Sequence, residues 1–390
     1  MIMRIGKEAR ALSWTALLLA LACLQPAFPH DLEHRLGELM AEHGTVGLAV
    51  VVVKDNAVVY QNSLGWKDRE RRLPLQDGDV FRIASISKSF AATSILQLVE
   101  NGRLSLDDDV SELVGFPVRN PRFPERAITL EMLLNHTSSI TDGPWYGSLD
   151  VVNPEANEDW RDSYADRAPG ERYEYSNLGY NMVGTIVERA SGQRFDAYVR
   201  THVLEPLGLY GGYLADALDA DRFAQIYRYR EGEGFVRSDQ AYARLGERLD
   251  DYRMGYSTPV FSPTGGLKIS APDLAAYMLM HMNRGEWGGV RILAPEHADL
   301  MQTPAVDVDG TSGYGLAIRT ERALVPGVAL TGHTGSAYGL YSSMYFDAEK
   351  QYGFVVITNG TRDMAVRDEV NRLLYAHFVS GAGSRESTDE

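Results

Sequence analysis

The segment that most constrains the fold of this chain is Ser85-Ile86-Ser87-Lys88, which stands directly before a stretch with helical periodicity. Three residues make nearly one helical turn, so the Ser85 hydroxyl and the Lys88 amine are expected on one helix face and within reach of each other. In the stretch that follows, apolar residues recur at positions 91, 95, 98 and 99, and Asn101-Gly102 supplies a stop signal. The pattern predicts a Ser-Lys pair at the start of a buried helix over 85–100.

Two further short motifs follow in the chain, Tyr175-Ser176-Asn177 and His333-Thr334-Gly335. Together with them, Phe81-Arg82-Ile83-Ala84-Ser85-Ile86-Ser87-Lys88-Ser89-Phe90 resembles the nucleophile segment of the serine β-lactamase and penicillin-binding-protein superfamily, most closely its class C β-lactamase-like branch. That branch also holds D,D-peptidases, D-aminopeptidases and esterases. Its motifs are a Ser-x-x-Lys, a Tyr-x-Asn and a Lys- or His-Thr-Gly, and all three occur here in that order. Thr264-Gly265-Gly266-Leu267 matches another recurrent family segment.

The resemblance implies an α+β fold in which both chain ends build a five-stranded antiparallel sheet with flanking helices, and a mainly helical lobe is inserted. The hydrolase domain is expected over 31–380, with a sheet lobe at 31–80 and 310–380 and the helical lobe at 81–309. Alternation and β-branched content predict strands at 46–53, 57–64, 313–319, 340–346 and 353–358. Helical periodicity predicts helices at 85–100, 130–135, 178–190, 195–202, 272–284 and 366–378.

The resemblance also implies a mechanism, in which Ser85 attacks a carbonyl carbon and the resulting acyl-enzyme is released by water. A serine hydroxyl needs a base to remove its proton. Lys88 can serve if burial lowers its pKa, and Tyr175 can serve if its pKa falls by about 3 from about 10. The two groups would titrate as a coupled pair, so the sequence leaves the choice of base open.

Five residues near the motifs are expected to bind the substrate: Asn177, His333, Thr334, Gly335 and Ser336. Asn177 would orient both the lysine and a substrate amide through its two kinds of polar atom. His333 would hydrogen-bond the substrate or the tyrosine oxygen, and Thr334 would bind a carboxylate or stabilise the loop. Gly335 would let the substrate approach the strand edge, because it has no side chain there. By resemblance, the backbone N–H of Ser336 joins that of the nucleophile in an oxyanion hole.

The third motif begins with His333, where β-lactamases of this branch mostly carry Lys, so a fixed positive charge for a substrate carboxylate is missing. The sequence therefore favours cleavage of an ester, an amide or a D-amino-acid peptide bond, with β-lactams as a further candidate. A penicillin-binding sensor and a noncatalytic scaffold are the alternatives. The long segments 141–167 and 214–256 lack periodicity and carry aromatic residues, which fits either substrate-selecting loops or variable surface excursions.

The first residues resemble a secretory signal peptide. Arg4, Lys7 and Arg10 precede an uncharged stretch, and Ala20-Leu21-Ala22 offers a cleavage site, so residues 1–22 are predicted to be removed. The protein is therefore expected in the periplasm or outside the cell, with a membrane tether only if Cys23 is lipidated. The polar tail at 381–390 is predicted to be disordered.

Charge and motif content limit the partners. The formal net charge of −15, from 38 basic and 53 acidic side chains, argues against nucleic acid and anionic membranes. No phosphate-binding glycine loop or metal-ligand spacing stands out in the sequence, so neither a cofactor nor a metal is predicted. The expected partner is a small-molecule or peptide substrate, and the oligomeric state stays open.

Overall fold

The structure is a computed structural model that describes residues 29–143 and 145–381. The predicted signal peptide, Cys23 and residues 382–390 of the predicted tail lie outside these ranges. Within them, no helix combines the length and the apolar character needed to cross a bilayer.

Helices and strands are numbered along the chain. The helices are α1 (Pro29–Glu42), α2 (Ser87–Glu100), α3 (Val110–Val114), α4 (Leu130–Leu134), α5 (Asn177–Ser191), α6 (Phe195–Val199), α7 (Ala271–Met282), α8 (Pro295–Gln302) and α9 (Ala365–Tyr375). The strands are β1 (Gly47–Lys54), β2 (Ala57–Asp68), β3 (Leu73–Pro74), β4 (Val80–Arg82), β5 (Gly211–Gly212), β6 (Tyr227–Arg230), β7 (Gly234–Arg237), β8 (Lys268–Ser270), β9 (Glu286–Trp287), β10 (Val290–Arg291), β11 (Val306–Asp307), β12 (Ser312–Tyr314), β13 (Arg319–Glu321), β14 (Leu330–Ala337), β15 (Leu340–Asp347) and β16 (Tyr352–Thr358).

The frame of the molecule is an antiparallel sheet that has nine strands over the described part of the chain, in the order β11-β12-β13-β14-β15-β16-β1-β2-β3. The predicted α+β fold, with a sheet built from both chain ends, is confirmed. The expected number of five strands fits only the long central ones, β14, β15, β16, β1 and β2, which are flanked by short strands.

One of the five predicted strands, 313–319, is wrong. A turn separates β12 from β13 there, with a hydrogen bond of 2.8 Å from Gly315 N to Ile318 O and a left-handed φ of 64° at Ala317. The fifth long strand is instead β14, which holds the His333 motif. Its glycines and small polar residues have weak strand propensity, and tertiary pairing with β15 overrides it.

The centre of the sheet is covered on both faces, which explains why every residue of β1 before Lys54 is buried. Side chains alternate across a strand. Leu48, Val50 and Val52 pack in one apolar cluster with residues of α1 and α9. Ala49, Val51 and Val53 join the other cluster, which contains α2, α5 and α7.

Helix α2 lies at the centre of the second cluster. All its residues from Ser87 to Leu98 are buried, and the Phe90 ring stacks on Tyr277 of α7 with 3.7 Å between centroids. The predicted buried helix is therefore confirmed. Ile83, Ala84 and Ile86, just before it, belong to the same cluster, so the core supports the backbone at Ser85.

The end of the irregular segment 214–256 is anchored to α5 by one buried carboxylate. Glu188, with 1% of its surface exposed, accepts hydrogen bonds from the Tyr252 hydroxyl at 2.5 Å and from Gly255 N at 2.7 Å. It also accepts from Thr258 Oγ1 at 2.8 Å and from Phe195 N at 2.8 Å. One side chain thus satisfies four donors, three between Tyr252 and Thr258 and one at Phe195.

Replacing Glu188 with alanine is expected to lower the free energy of unfolding by about 3 kcal/mol, because buried donors lose their acceptor. Urea denaturation monitored by circular dichroism measures the change. Glu125→Ala removes an exposed carboxylate and serves as the control, with an expected change within about 0.5 kcal/mol. Equal stability of the two variants would contradict the anchoring role.

Candidate active site

Ser85 lies in a tight turn, Ala84–Ile86, that leads directly into α2. Ala84 has a φ of 51°, a left-handed conformation that non-glycine residues rarely adopt. Ser87 holds the turn, since its Oγ donates to Ala84 O at 2.6 Å and accepts from Leu267 N at 3.1 Å. This local strain, supported by buried hydrogen bonds, is a recurrent property of functional sites.

Lys88 occupies a fully buried position one turn after the serine. Its Nζ lies 3.3 Å from Ser85 Oγ, as the Ser-x-x-Lys spacing predicted. The same Nζ donates to Asn177 Oδ1 at 2.9 Å and to Thr264 O at 2.9 Å. Burial holds the pKa of Lys88 well below its usual range, and the negative charge of Asp142 only partly opposes this. A lysine with this environment has an accessible neutral form that can accept a proton.

Tyr175 lies beside this pair, with its ring centroid 4.6 Å from Lys88 Nζ. Burial raises the pKa of Tyr175, and a hydrogen bond with Ser85 offsets part of the increase. To act as a base near neutral pH, Tyr175 would need a lowered pKa. The arrangement therefore favours Lys88 as the proton acceptor and keeps Tyr175 as a hydroxyl donor.

Asn177 is the first residue of α5, and Ser176 before it caps the helix by accepting a hydrogen bond from Gly179 N at 3.0 Å. Asp142 accepts from Asn177 N at 2.5 Å and from Asn177 Nδ2 at 2.7 Å. These bonds turn the amide oxygen towards Lys88. Thr264 Oγ1 donates to the same oxygen at 2.6 Å. The negative Asp142 also lies favourably at the positive end of the helix.

Asp142 and Thr264 were not singled out by the sequence reasoning. Thr264 carried a signal, because it belongs to the recognised Thr-Gly-Gly-Leu segment. Asp142 carried none, since nothing local connects it with a helix that begins 35 residues later.

His333 lies on β14 with 6% of its surface exposed. Its Nδ1 donates to Thr334 O at 2.5 Å, so Nε2 accepts from the Tyr314 hydroxyl at 3.1 Å. The expected hydrogen bond with the Tyr175 oxygen is therefore not formed. His333 bonds the Tyr314 hydroxyl instead. Burial lowers the pKa of His333 to about 3, so the ring is neutral at pH 7.

A second buried histidine, His136, shapes the wall of the site. Its Nδ1 accepts a hydrogen bond from Ser176 N at 3.1 Å, and its ring centroid lies 4.4 Å from that of Tyr175. The ring also contacts Tyr180 and Tyr314, each with 5.0 Å between centroids. This aromatic packing fixes the orientation of Tyr175.

Strand β14 leaves part of one edge open. It pairs with β15 as far as Ala337, whereas its pairing with β13 stops at Gly332. His333, Thr334 and Ser336, beyond that point, line the same cavity as Ser85. An extended substrate can therefore lie along this edge, with the nucleophile opposite.

Glycine is required at position 335 for a different reason from the expected one. A Cβ on this residue would collide with the Ile83 carbonyl oxygen and the Ser342 hydroxyl, which are protein groups and not substrate. Ser342 Oγ itself donates to Ile83 O at 3.0 Å. Glycine is needed here because the nucleophile turn packs directly on β14.

Gly335→Ala is expected to lower kcat/KM about 100-fold. The added methyl group forces β14 away from the turn that carries Ser85. A displacement of roughly 1 Å in an active site typically costs about this factor. Steady-state kinetics with a chromogenic ester measures the effect. Gly37→Ala is the control for a glycine substitution outside the site, because Gly37 lies in α1 and an added Cβ there meets open space. Unchanged activity in Gly335→Ala would show that the turn and the strand do not need this contact.

The predicted site residues come together around one cavity of about 670 Å³. Lys88 lies beneath its floor, and Gly335 packs behind its wall. The side chains that line it include Ser85, Tyr175, Asn177, His333, Thr334 and Ser336. A serine hydroxyl in contact with a buried lysine amine, and several hydrogen-bond donors around one cavity, suit acyl transfer.

Among the described residues, one cluster has the composition of a metal site, namely Glu42, His43 and Glu369. It belongs to α1, α9 and the chain just after α1. These elements flank the sheet face opposite α2, so the cluster is separate from the cavity.

Comparison with known proteins agrees with this geometry. A family model described as Beta-lactamase matches residues 32–377. Penicillin-binding protein 4* of Bacillus subtilis (strain 168) is 28% identical over 237 residues, which is 59% of this chain and 45% of that protein. Esterase EstB of Burkholderia gladioli is 32% identical over 208 residues, which is 49% of this chain and 52% of that protein. The chain thus spans about half the length of these relatives.

Among solved structures, the octameric penicillin-binding protein homologue from Pyrococcus abyssi superimposes with a TM-score of 0.73 at 29% identity. The alignment covers 89% of this chain and 77% of that one.

Proposed function

Since this chain belongs to the beta-lactamase family, as its three motifs predicted, we propose that it is a serine hydrolase that forms an acyl-enzyme at Ser85. Its substrates would be esters, amides or D-amino-acid peptides. The single observation that carries the proposal is the 3.3 Å separation of Lys88 Nζ and Ser85 Oγ in a buried setting that favours a neutral amine.

In the proposed acylation step, Ser85 Oγ attacks the substrate carbonyl carbon while its proton passes to Lys88 Nζ. The bond to the leaving group then breaks, and the proton returns from Lys88 to the leaving atom. The Tyr175 hydroxyl lies beside both groups and can relay it. In deacylation, water attacks the acyl carbon and gives a proton to Lys88. The bond to Ser85 Oγ then breaks, and the proton passes from Lys88 back to Ser85 Oγ.

Charge on the carbonyl oxygen would be stabilised by the backbone N–H groups of Ser85 and Ser336. Support comes from their position on one cavity, with Ser336 on the open part of the β14 edge. A donor of this kind is worth about 2.7–4 kcal/mol of transition-state stabilisation.

The neutral His333 supports ester or peptide cleavage over efficient β-lactam hydrolysis, because it gives no fixed charge at the usual position of the motif lysine. A penicillin-binding sensor is the second candidate, and the similarity to penicillin-binding protein 4* favours it. The two differ in the lifetime of the acyl-enzyme.

The test compares turnover of 4-nitrophenyl acetate, a chromogenic cephalosporin and a D-alanyl-D-alanine peptide. Hydrolysis of the ester or the peptide in many cycles, with slow turnover of the cephalosporin, is the expected result. A long-lived cephalosporin adduct without turnover of any substrate would favour the sensor. Absence of both adduct and turnover would contradict the proposed function.

A further inference from the structure

The charged side chains that line the cavity all have the same sign. They are Arg82, Arg228 and Arg319, and none of the lining residues in the described part of the chain is Asp or Glu. The chain as a whole has the opposite balance, with 53 acidic and 38 basic side chains. Cations in a cleft raise the local concentration of anions and steer their approach. The cavity is therefore set apart electrostatically from the rest of the molecule.

The three arginines differ in how far their charges are already balanced. Arg319 Nη2 lies 3.2 Å from both Asp309 Oδ2 and Glu321 Oε2. Among the residues that the structure describes, the Arg82 side chain has only neutral hydrogen-bond partners: Gly265 O at 2.8 Å, Ser262 Oγ at 3.3 Å and the Tyr338 hydroxyl at 3.5 Å.

Arg228 has neither an ion pair nor a side-chain hydrogen bond within the parts of the chain that the structure covers. Two guanidinium groups, those of Arg82 and Arg228, thus face the cavity without a carboxylate partner. Each retains donors that can bind an anion.

The backbone at Arg228 packs against the end of β14. Gly339, at the β14–β15 turn, packs against Tyr227 O and Arg228 Cα so closely that a Cβ would collide with both. Ser238 Oγ, just beyond β7, donates to Tyr338 O at 2.8 Å. The β6–β7 hairpin is therefore attached to the end of β14 that carries Ser336.

Tyr338 stacks on the first of the two arginines. Its ring centroid lies 4.9 Å from the Arg82 guanidinium carbon, and the tyrosine lines the cavity together with Arg228. The stacking limits the freedom of the Arg82 side chain, so less conformational entropy is lost when it binds a ligand.

We propose that Arg228 and Arg82 together bind a carboxylate of the substrate, which makes the enzyme selective for esters or amides that carry one. A guanidinium group offers parallel N–H donors that match a carboxylate, and such charge-assisted hydrogen bonds are stronger than neutral ones. The pair supplies, from another part of the cavity, the positive charge that neutral His333 lacks. This selectivity rests on the proposed hydrolase function.

The test uses two matched pairs of neutral and anionic esters. One pair has the carboxylate on the acyl side, 4-nitrophenyl hydrogen glutarate against 4-nitrophenyl glutaramate. The other has it on the leaving group, 3-acetoxybenzoate against 3-acetoxybenzamide. The wild-type protein is expected to prefer the carboxylate in at least one pair by about 10-fold in kcat/KM. This preference should fall as ionic strength rises.

Arg228→Gln is expected to lower the ratio of kcat/KM between carboxylate and amide about 10-fold in the preferred pair. Arg230→Gln is the matched control, because it removes the same charge from the same hairpin. Arg230 pairs with Glu233 at 3.2 Å and does not line the cavity, so the ratio should stay within about twofold of wild type.

Two results would overturn the carboxylate site: no preference in either pair, or an equal loss of preference in Arg228→Gln and Arg230→Gln. Failure of the hydrolase function would look different. In that case the wild-type protein would hydrolyse the two uncharged esters no faster than Ser85→Ala does.

Discussion

Replacing Ser85 with alanine is expected to lower kcat for ester hydrolysis by about 10⁴-fold or more, the scale of loss when a catalytic nucleophile is removed. The reason is that, among the described residues lining the cavity, no other hydroxyl combines a strained turn with contact to a buried amine. Stopped-flow or long-time absorbance measurements with 4-nitrophenyl acetate give the ratio of rates. The Ser85 hydroxyl makes a long hydrogen bond with Lys88 at 3.3 Å and a second one with Tyr175, so the free energy of unfolding should change by no more than about 2 kcal/mol.

Ser89→Ala provides the matched control for this prediction. Ser89 lies one turn further along α2, is buried, and donates to Ile86 O at 2.8 Å. Its loss should affect stability and leave ester turnover within about threefold of wild type, as expected for a residue that contacts no substrate. Retained turnover in a folded Ser85→Ala protein would remove Ser85 from the mechanism.

Lys88→Met is expected to lower kcat/KM by about 10³-fold, within the range of a general base. It should also remove a pH dependence. Because only neutral Lys88 accepts the serine proton, kcat/KM of the wild-type protein should rise with pH through the Lys88 pKa. Burial lowers that pKa well below 10.5, so the rise should be complete at a lower pH than an ordinary lysine would give. The pH profile of kcat/KM, with and without the substitution, measures both effects.

Lys88→Arg tests whether Lys88 acts as a base or only as a fixed positive charge. Arginine keeps the positive charge near Ser85 and Asn177 but does not lose its proton in proteins. It should therefore be as inactive as Lys88→Met. Wild-type activity in Lys88→Arg would mean that the lysine acts only by its charge, and Tyr175 would then become the favoured base despite its raised pKa.

The buried Lys88 amine is also expected to make the free energy of unfolding depend on pH. A lysine whose pKa is lowered on folding makes the folded state bind fewer protons than the unfolded state, so stability rises with pH up to the unfolded pKa. Lys88→Met loses the hydrogen bonds to Asn177 and Thr264 at every pH, so the expected result is a pH-dependent difference: its stability relative to wild type is highest at low pH and falls as the pH approaches 10.5. Urea unfolding at several pH values compares Lys88→Met with wild type.

The parts of the site that the sequence predicted depend on short-range geometry. Ser85 and Lys88 are one helical turn apart, and Tyr175 and Asn177 flank a capping serine, so spacing alone fixes their relation. Helix α2 was equally clear, because its apolar periodicity and its Asn-Gly stop are local signals.

The remaining parts arise only from long-range packing. Asp142 orients Asn177 across a loop, and Tyr314 meets His333 through the pairing of β12, β13 and β14. Periodicity did not predict the strand that carries His333, which only the family motif indicated, because glycine and small polar residues hide its pattern. Arg228 is similar, since it faces the cavity only because Gly339 lets the β6–β7 hairpin pack against the sheet.

The most direct test of this account is intact-mass spectrometry of the wild-type protein, quenched in acid milliseconds after mixing with 4-nitrophenyl acetate. A species heavier by one acetyl group is predicted, and digestion should place the label on the peptide that contains Ser85. The same experiment on Ser85→Ala should give no label there. A label on Ser87, Ser89 or Tyr175 instead, or the same acetyl label in wild type and Ser85→Ala, would contradict an acyl-enzyme formed at Ser85.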